Sequence, residues 1–499
     1  MLEGRVRRLA LSATALLPVF LAAGPAAADT LQEALTAAYR NNPTLAAARA
    51  GQRATDETVA IQKAQGRPSV DASGQYLEFV KQASDNFINP DRLATANLNL
   101  AVPIYSGGAV RNGIRGAGAR VSAGRADLRA TESSIFSQTV AAYMDVLRTQ
   151  ALVGLQANQV DVLSVNLQAT SDRFEIGDLT RTDVAQSQAR LAQAQSDLRT
   201  AQANLINARE TYTQLTGLAP DDLQPPPPLP GFPASVEDAE DIALAQNPDL
   251  IAAKERARAS GFDVEVAGSG RLPRVSVFSG GTYNNYLGSL GTGGPNAAQQ
   301  TTTSVQVGVQ LNMPLFQGGL PAAQRRQAQA REAAALEQVV AAERAVIAQV
   351  RAAWSSWQAA TAVIQSAQAA VDAATLSLEG VRAENSIGNR TILDTLNAEQ
   401  ELLNARVLLV TARRNAYVAG FSLLAAMGRA EARDLGLMPE GLLYDPVANY
   451  ERIEGKWFDW DDDPDPVVTT TSTANVPPAT AEVPQAAVSR LGETGSEPR

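Results

Sequence analysis

The stretch TTSVQVGVQLNMPLFQGGLPAAQRRQAQA, Thr302 to Ala330, changes period in its middle. As far as Met313 it alternates, with Val305, Val307, Val309, Leu311 and Met313 on one face of an extended chain. Ser304, Gln306, Gly308, Gln310 and Asn312 take the other face. After Gly318-Gly319 the alternation stops. From Leu320 to Ile387 there is no proline after Pro321, which suits a first helical turn. At ~1.5 Å per residue, a helix over that range reaches ~100 Å.

The same junction occurs earlier. ATANLNLAVPIY (Ala94–Tyr105) sets Ala96, Leu98, Leu100 and Val102 against Asn97 and Asn99, and Gly107-Gly108 follow it. Around these landmarks the chain is written twice. TLQEALTAAYRNNPTLAAA (30–48) resembles SVEDAEDIALAQNPDLIAA (235–253), with Asn42-Pro43 matching Asn247-Pro248 at an offset of 205. Pro68 and Pro273 keep that offset. Pro103 and Pro314 stand 211 apart, so the second copy holds six more residues (211 − 205) between its prolines. The later offset pairs Gly177 with Gly388, Thr180 with Thr391, Asp183 with Asp394 and Gly217 with Gly428.

These landmarks divide the chain. Residues 29–220 form the first repeat and 235–443 the second. Each has an opening helical stretch, a β-hairpin (about 69–104 and 274–315) and a long helix pair with its turn near 177–180 or 388–391. Between them the prolines of 221–234 cannot continue a helix and favour a stiff extended linker. Glycines 113, 116, 118 and 124 predict an irregular start to the first long helix. Residues 444–499 turn acidic and then low in complexity, which predicts a disordered tail.

From Leu191 the positions Ala194, Leu198, Ala201, Leu205, Ala208, Tyr212 and Leu215 step by three and four, a coiled-coil seam. Leu402 to Ala426 repeat it. Alanine at alternate seam positions brings helices close, which is packing and not a cofactor stripe.

Arg5, Arg7 and Arg8, the apolar run Leu9–Ala23 and Ala26-Ala27-Ala28 have the three parts of a cleaved secretory signal, residues 1–28. The 499 residues include no cysteine and no histidine, which removes disulfides, thiol chemistry, a Ser/His triad and histidine metal sites. No enzyme activity, cofactor or metal is expected. The net charge is −10 and the basic residues lack aromatic interleaving, so nucleic acid is not an expected partner. Four amphipathic strands of about ten residues are long enough to cross a bilayer at a tilt. In lipid their edges must close into a barrel, and one chain is too small for an aqueous one, so several chains must contribute.

On these residues, from the NNP and QNP helices through LFQGGLPAAQRRQAQA to IGNRTILDTLNAEQELLNA, the sequence resembles the TolC family of outer-membrane efflux and secretion channels. The resemblance implies a homotrimer whose twelve-stranded outer-membrane β-barrel, set in lipid, continues into an α-helical periplasmic tunnel. It also implies a periplasmic adaptor and an inner-membrane ABC or proton-driven pump as partners. In that architecture the turns at Gly177–Thr180 and Gly388–Thr391 lie at the periplasmic tip. Thr180 and Thr391 suit N-caps with Asp183 and Asp394 three residues on. The family's gate implies Arg390 as a lock of the closed tip and Asp394 as a ring carboxylate. Asn397 departs from the pattern by replacing a second acidic ring with a neutral one. The competing expectation is an exported coiled-coil scaffold or adaptor whose hairpins pair with a partner protein.

Overall fold

The computed structural model describes residues 30–81, 89–290, 299–438 and 443–483. The signal segment therefore lies outside the described residues. The first repeat runs α1 (Leu31–Asn41), α2 (Pro43–Ala64), β1 (Ser69–Glu78), β2 (Arg92–Tyr105), α3 (Ala109–Glu175) and α4 (Arg181–Thr216). The second runs α5 (Val236–Gln246), α6 (Pro248–Gly268), a 3-10 turn (Ser269–Arg271), β3 (Arg274–Asn285), β4 (Thr301–Asn312), α7 (Leu320–Ser386) and α8 (Ile392–Ala426). A short α9 (Ala448–Glu454) follows.

The four strands form one antiparallel sheet in the order β1-β2-β3-β4. Its register sorts the faces. Val102, Val277 and Val309 share one row across the strands, and Val70, Leu100, Ser279 and Val307 share another on the same face. The opposite face carries rows such as Asp71, Asn99, Gly280 and Gln306, then Ser73, Asn97, Thr282 and Ser304. On that polar face Thr95 donates to Asn284 Oδ1 at 2.9 Å. Val305, Val307 and Val309 are each at least 70% exposed, so the apolar face has no cover within one chain. Strands β1 and β4 are both edges.

At the end of each hairpin the chain passes into a 67-residue helix, α3 or α7. Gly108 (φ 85°) and Gly319 (φ 84°) cap these helices in the left-handed region, which a β-carbon would oppose. The glycine-rich start of α3 is unbroken helix, contrary to expectation. Three of its four glycines serve close packing, Gly118 facing open space: a β-carbon at 113 would lie 2.6 Å from Gln62 Oε1 on α2, and one at 116 would lie 3.4 Å from Phe262 Cβ on α6.

The paired long helices bury the expected seam. Ala194, Ala201, Leu205 and Tyr212 of α4 are buried, as are Leu402, Ala405, Leu409 and Ala412 of α8. The largest cluster gathers Phe136, Val140 and Tyr143 of α3 with Leu205 and Tyr212, under Leu31 and Tyr39 of α1. The proline-rich linker lies along the helices, where Tyr143 Oη donates to Gln224 O at 2.6 Å and Phe232 stacks on Trp357.

The two Asn-Pro phrases do the same two jobs. Asn42 Oδ1 accepts from the N–H groups of Thr44 and Leu45, capping α2, while its Nδ2 donates to Leu215 O at the end of α4. Asn247 does the same for α6, accepting from Asp249 and Leu250 and donating to Ala426 O at 2.9 Å. Both asparagines are buried, at 4% and 3% exposure. One side chain thus satisfies the start of one helix and the end of another, closing each repeat on itself.

The tail departs from expectation. Residues 443–483 do not hang free: Tyr450 on α9 packs into a cluster with Val59, Ala117 and Val121, and Asn449 Nδ2 donates to Asp56 Oδ2 at 2.9 Å. Farther on, Arg209 on α4 donates to the carbonyls of Thr480 and Glu482, and Ala479 N donates to Glu210 Oε1. A low-complexity sequence can be held by its backbone, which no periodic apolar pattern signals.

Two outcomes follow. Asn247→Ala removes both cap and tether and is expected to lower stability by about 2 kcal/mol, and Asn247→Ser, which restores a capping oxygen alone, to recover about 1 kcal/mol. Thermal melting of detergent-solubilised protein checks this; equal stability of all three forms would refute the tether. Burial is the main cause that raises the Glu132 carboxyl from 4.5 to about 7, against the N–H of Ala432 that it accepts. The folded state therefore holds that proton more tightly than the unfolded chain, and the penalty for ionising grows as pH rises from 4.5 through about 7. Glu132→Gln is expected to match the parent near pH 4 and to exceed it by about 2 kcal/mol near pH 8.

Candidate functional site at the helix-hairpin turns

Each long helix pair reverses in a five-residue connection, 176–180 or 387–391, built the same way. After α3, Gly177 (φ 81°) ends the helix and Asp178 N donates back to Arg173 O at 2.9 Å. After α7, Gly388 (φ 82°) ends the helix and Asn389 N donates to Glu384 O at 2.9 Å. The next helix then starts on a reciprocal cap. Thr180 Oγ1 accepts from Asp183 N, while Asp183 accepts from the N–H and hydroxyl of Thr180. Thr391 and Asp394 repeat it, with Thr391 N to Asp394 Oδ2 at 3.0 Å.

These contacts set the charges. Both aspartates are held below the ordinary carboxylate range, first by the hydroxyl of their capping threonine and then by its N–H. Arg390 adds a smaller downward push on Asp394. The guanidinium of Arg390 is itself raised, chiefly by Glu384, to which its Nε donates at 2.7 Å. At the first turn the ion pair is reversed: Arg173 precedes the glycine and Asp178 follows it, at 2.6 Å. Since Arg173 and Glu384 occupy matching positions (173 + 211 = 384), the two turns carry opposite polarity on one backbone design.

The structure brings Arg390 and Asp394 together on one turn and sets Asn397 one turn along, on the exposed side of α8. Asn397 Oδ1 accepts from Arg190 Nη2 of α4 at 3.1 Å, which joins the two helix pairs near their tips. Beneath it Leu163, Ala194 and Leu396 form a small apolar cluster from α3, α4 and α8.

A further polar junction was not legible in the sequence. Glu399 is 4% exposed and accepts from Asn166 Nδ2 of α3 at 3.0 Å and from Arg382 Nη2 of α7 at 3.1 Å. A buried carboxylate of this kind is strongly destabilising when its partners are removed. Its only trace in the sequence is an acid beside the α8 seam, which solvent exposure would explain equally well. Glu384 and Arg190 were missed for the same reason, since their partners lie across a turn or on another helix.

Comparison with known proteins bears on the fold and the family. The sequence pattern of the outer membrane efflux protein family matches residues 34–218 and 241–429, one match for each repeat. The outer membrane efflux protein BepC of Brucella suis biovar 1 is 32% identical over 452 residues, 91% of this chain and 96% of that protein. The outer membrane protein TolC of Vibrio cholerae is 27% identical over 445 residues, covering 86% and 98%. In fold, the outer membrane protein VceC of Vibrio cholerae superposes with a TM-score of 0.68 at 23% identity, over 80% of this chain and 96% of that one. The family match covers both repeats, and the chain belongs to the outer membrane efflux protein family.

Proposed function

We propose that the chain is the outer-membrane exit duct of a tripartite export system, and that three copies build it. The observation that carries the reading is the open sheet. It has one mainly apolar and one mainly polar face across its four strands, and two edges without a neighbour among the described residues. In lipid, unpaired N–H and C=O groups cost several kcal/mol each, so β4 of one copy must pair with β1 of the next. Three copies give twelve strands, beyond the eight at which side chains fill a barrel, and leave room for water. The apolar rows then face lipid and the rows of Asn, Gln, Ser and Thr line the passage.

Below the barrel, α3 and α7 extend the passage by ~100 Å toward the inner membrane. Substrate enters at the tips, where an adaptor and an energised pump deliver it. Whether the cargo is a small toxic compound or a secreted protein is set by that pump. At the closed tip, threefold symmetry gathers three copies of Asp394, while Arg390 ties each turn and its neighbours. Asn397, neutral and bonded to Arg190, makes the second ring weakly attractive to cations. Family membership disfavours the scaffold reading.

Two experiments test this. In planar bilayers Arg390→Ala is expected to raise the conductance of the isolated channel several-fold, and an unchanged conductance would refute its role as a lock. Val307→Lys puts a charge on the lipid face and is expected to cost about 2–4 kcal/mol near the bilayer centre, lowering the yield of trimer in the outer-membrane fraction. Gln306→Lys faces water and is expected to leave the yield unchanged. Equal losses would refute the sidedness.

A further inference from the structure

The tail is a strap with an apex. From Asn449, bonded to Asp56, the chain climbs beside α2 in the same direction: Glu454 pairs with Lys63 at 2.8 Å, and Lys456 O accepts from Arg67 Nη1 at 2.9 Å. Trp457 then lies under the Arg67 guanidinium, 4.4 Å from it to the ring centroid. A tight turn follows, with Asp461 N donating to Phe458 O at 3.2 Å. The chain then descends, and two cations of the ascending leg hold it. Arg452 grips Asp463 through both carboxylate oxygens at 2.6 and 2.7 Å, and Lys456 reaches Asp461 and Asp463 at 3.3 and 3.0 Å. These contacts pull the Asp463 carboxyl far below its ordinary range, Arg452 first. Lower down, Thr471 rests against Gly217 at the end of α4.

The apex is bare and aromatic. Trp457 is 57% exposed, Phe458 79% and Trp460 93%. The chain has four tryptophans in 499 residues, and two of them stand here within four positions. A soluble surface rarely spends aromatics in this way. Their height in the molecule supplies the reason. Arg67 precedes the first residue of β1 by two positions, about 7 Å of extended chain. The apex is therefore level with the helix-side end of the sheet, where Leu315 and Phe316 are also nearly fully exposed.

We propose that the Trp457–Trp460 apex lies in the interfacial zone of the outer membrane's periplasmic leaflet, as an aromatic anchor supplied by the tail and not by the strands. The inference rests on the reading of the sheet as an outer-membrane barrel, because that barrel sets where lipid begins. Tryptophan suits the zone, with an apolar ring for the acyl boundary and an N–H for the headgroups. The acids of the turn narrow the kind of lipid. Asp461 and Asp463 are neutralised by Lys456 and Arg452, whereas Asp459 and Asp462 would repel an anionic surface, so the occupant is a zwitterionic phospholipid. The ion pairs across the two legs hold the turn in one shape, which spares the loop much of the entropy of ordering on contact.

Tryptophan quenching in lipid nanodiscs tests the contact with the full chain. The discs are phosphatidylcholine brominated on the acyl chains near the headgroup. Trp354→Phe/Trp357→Phe leaves indoles only at the apex, and, for rings sunk about 5–10 Å into the boundary, it is expected to lose about half its emission relative to unbrominated discs. Trp457→Phe/Trp460→Phe keeps only the indoles on α7, packed with Phe232, and is expected to be nearly unquenched. The difference between the parent protein and this second variant gives the same reading without the first. Apex quenching by aqueous acrylamide but not by brominated lipid would leave the loop in water and overturn the proposal. Shielding from both quenchers would mean that a neighbouring copy covers the apex, and would also overturn it. Single-channel conductance in the same lipid separates the two levels: a conducting channel with an unquenched apex overturns the anchor alone, and a chain that never inserts overturns both.

Discussion

An antiparallel sheet of four strands with no neighbour beyond β1 or β4 among the described residues is the constraint on which the rest depends. Water can satisfy such edges and hydrocarbon cannot, so in the proposed membrane setting a sheet with a largely apolar face borrows its neighbours from other copies. That requirement explains why the helices are long and thin. In the proposed assembly, copies that share a barrel stand side by side below it, and the alanine-rich seams of α4 and α8 allow close approach within each pair. The core is accordingly spread along the length of the molecule, from the cluster around Tyr143 to the small one around Leu396 near the tips.

Much of this was legible because it is periodic. Alternation over Val305–Met313 identifies a strand whatever its partner, and the register then gives Val305, Val307 and Val309 a common face with Leu98, Leu100 and Val102. The reciprocal caps at Thr180 and Thr391 were legible too, since both members lie within one turn of helix. What escaped notice depends on distant pairs. The glycines of α3 look like helix breakers until Gln62 and Phe262 are seen against them. Glu399 looks like a solvated acid until Asn166 and Arg382 converge on it. The tail has no apolar period because backbone carbonyls, ion pairs and single aromatic side chains hold it.

Duplication preserved backbone design and released side-chain charge. The same glycine, threonine and aspartate recur at both turns, and the same asparagine closes both repeats. Around that fixed frame Arg173 became Glu384 and the ion pair changed direction. Two hairpins of one shape therefore present different electrostatic faces.

The asparagine staples also set the mechanics of the molecule. Each fixes the end of a long helix pair at its membrane-ward end and leaves the other end as a cantilever. From Ala426, where Asn247 holds α8, to the turn at Thr391 is about 50 Å of helix, so a tilt of about 5° at the staple displaces the tip by about 4 Å. The Arg190–Asn397 hydrogen bond that joins the two helix pairs near their tips is a single contact of 3.1 Å, so a rotation too small to disturb the packing around the staple is enough to part it. An opening stroke of the proposed gate would need little work at the fulcrum and large travel at the free end, the arrangement of a pair of tongs.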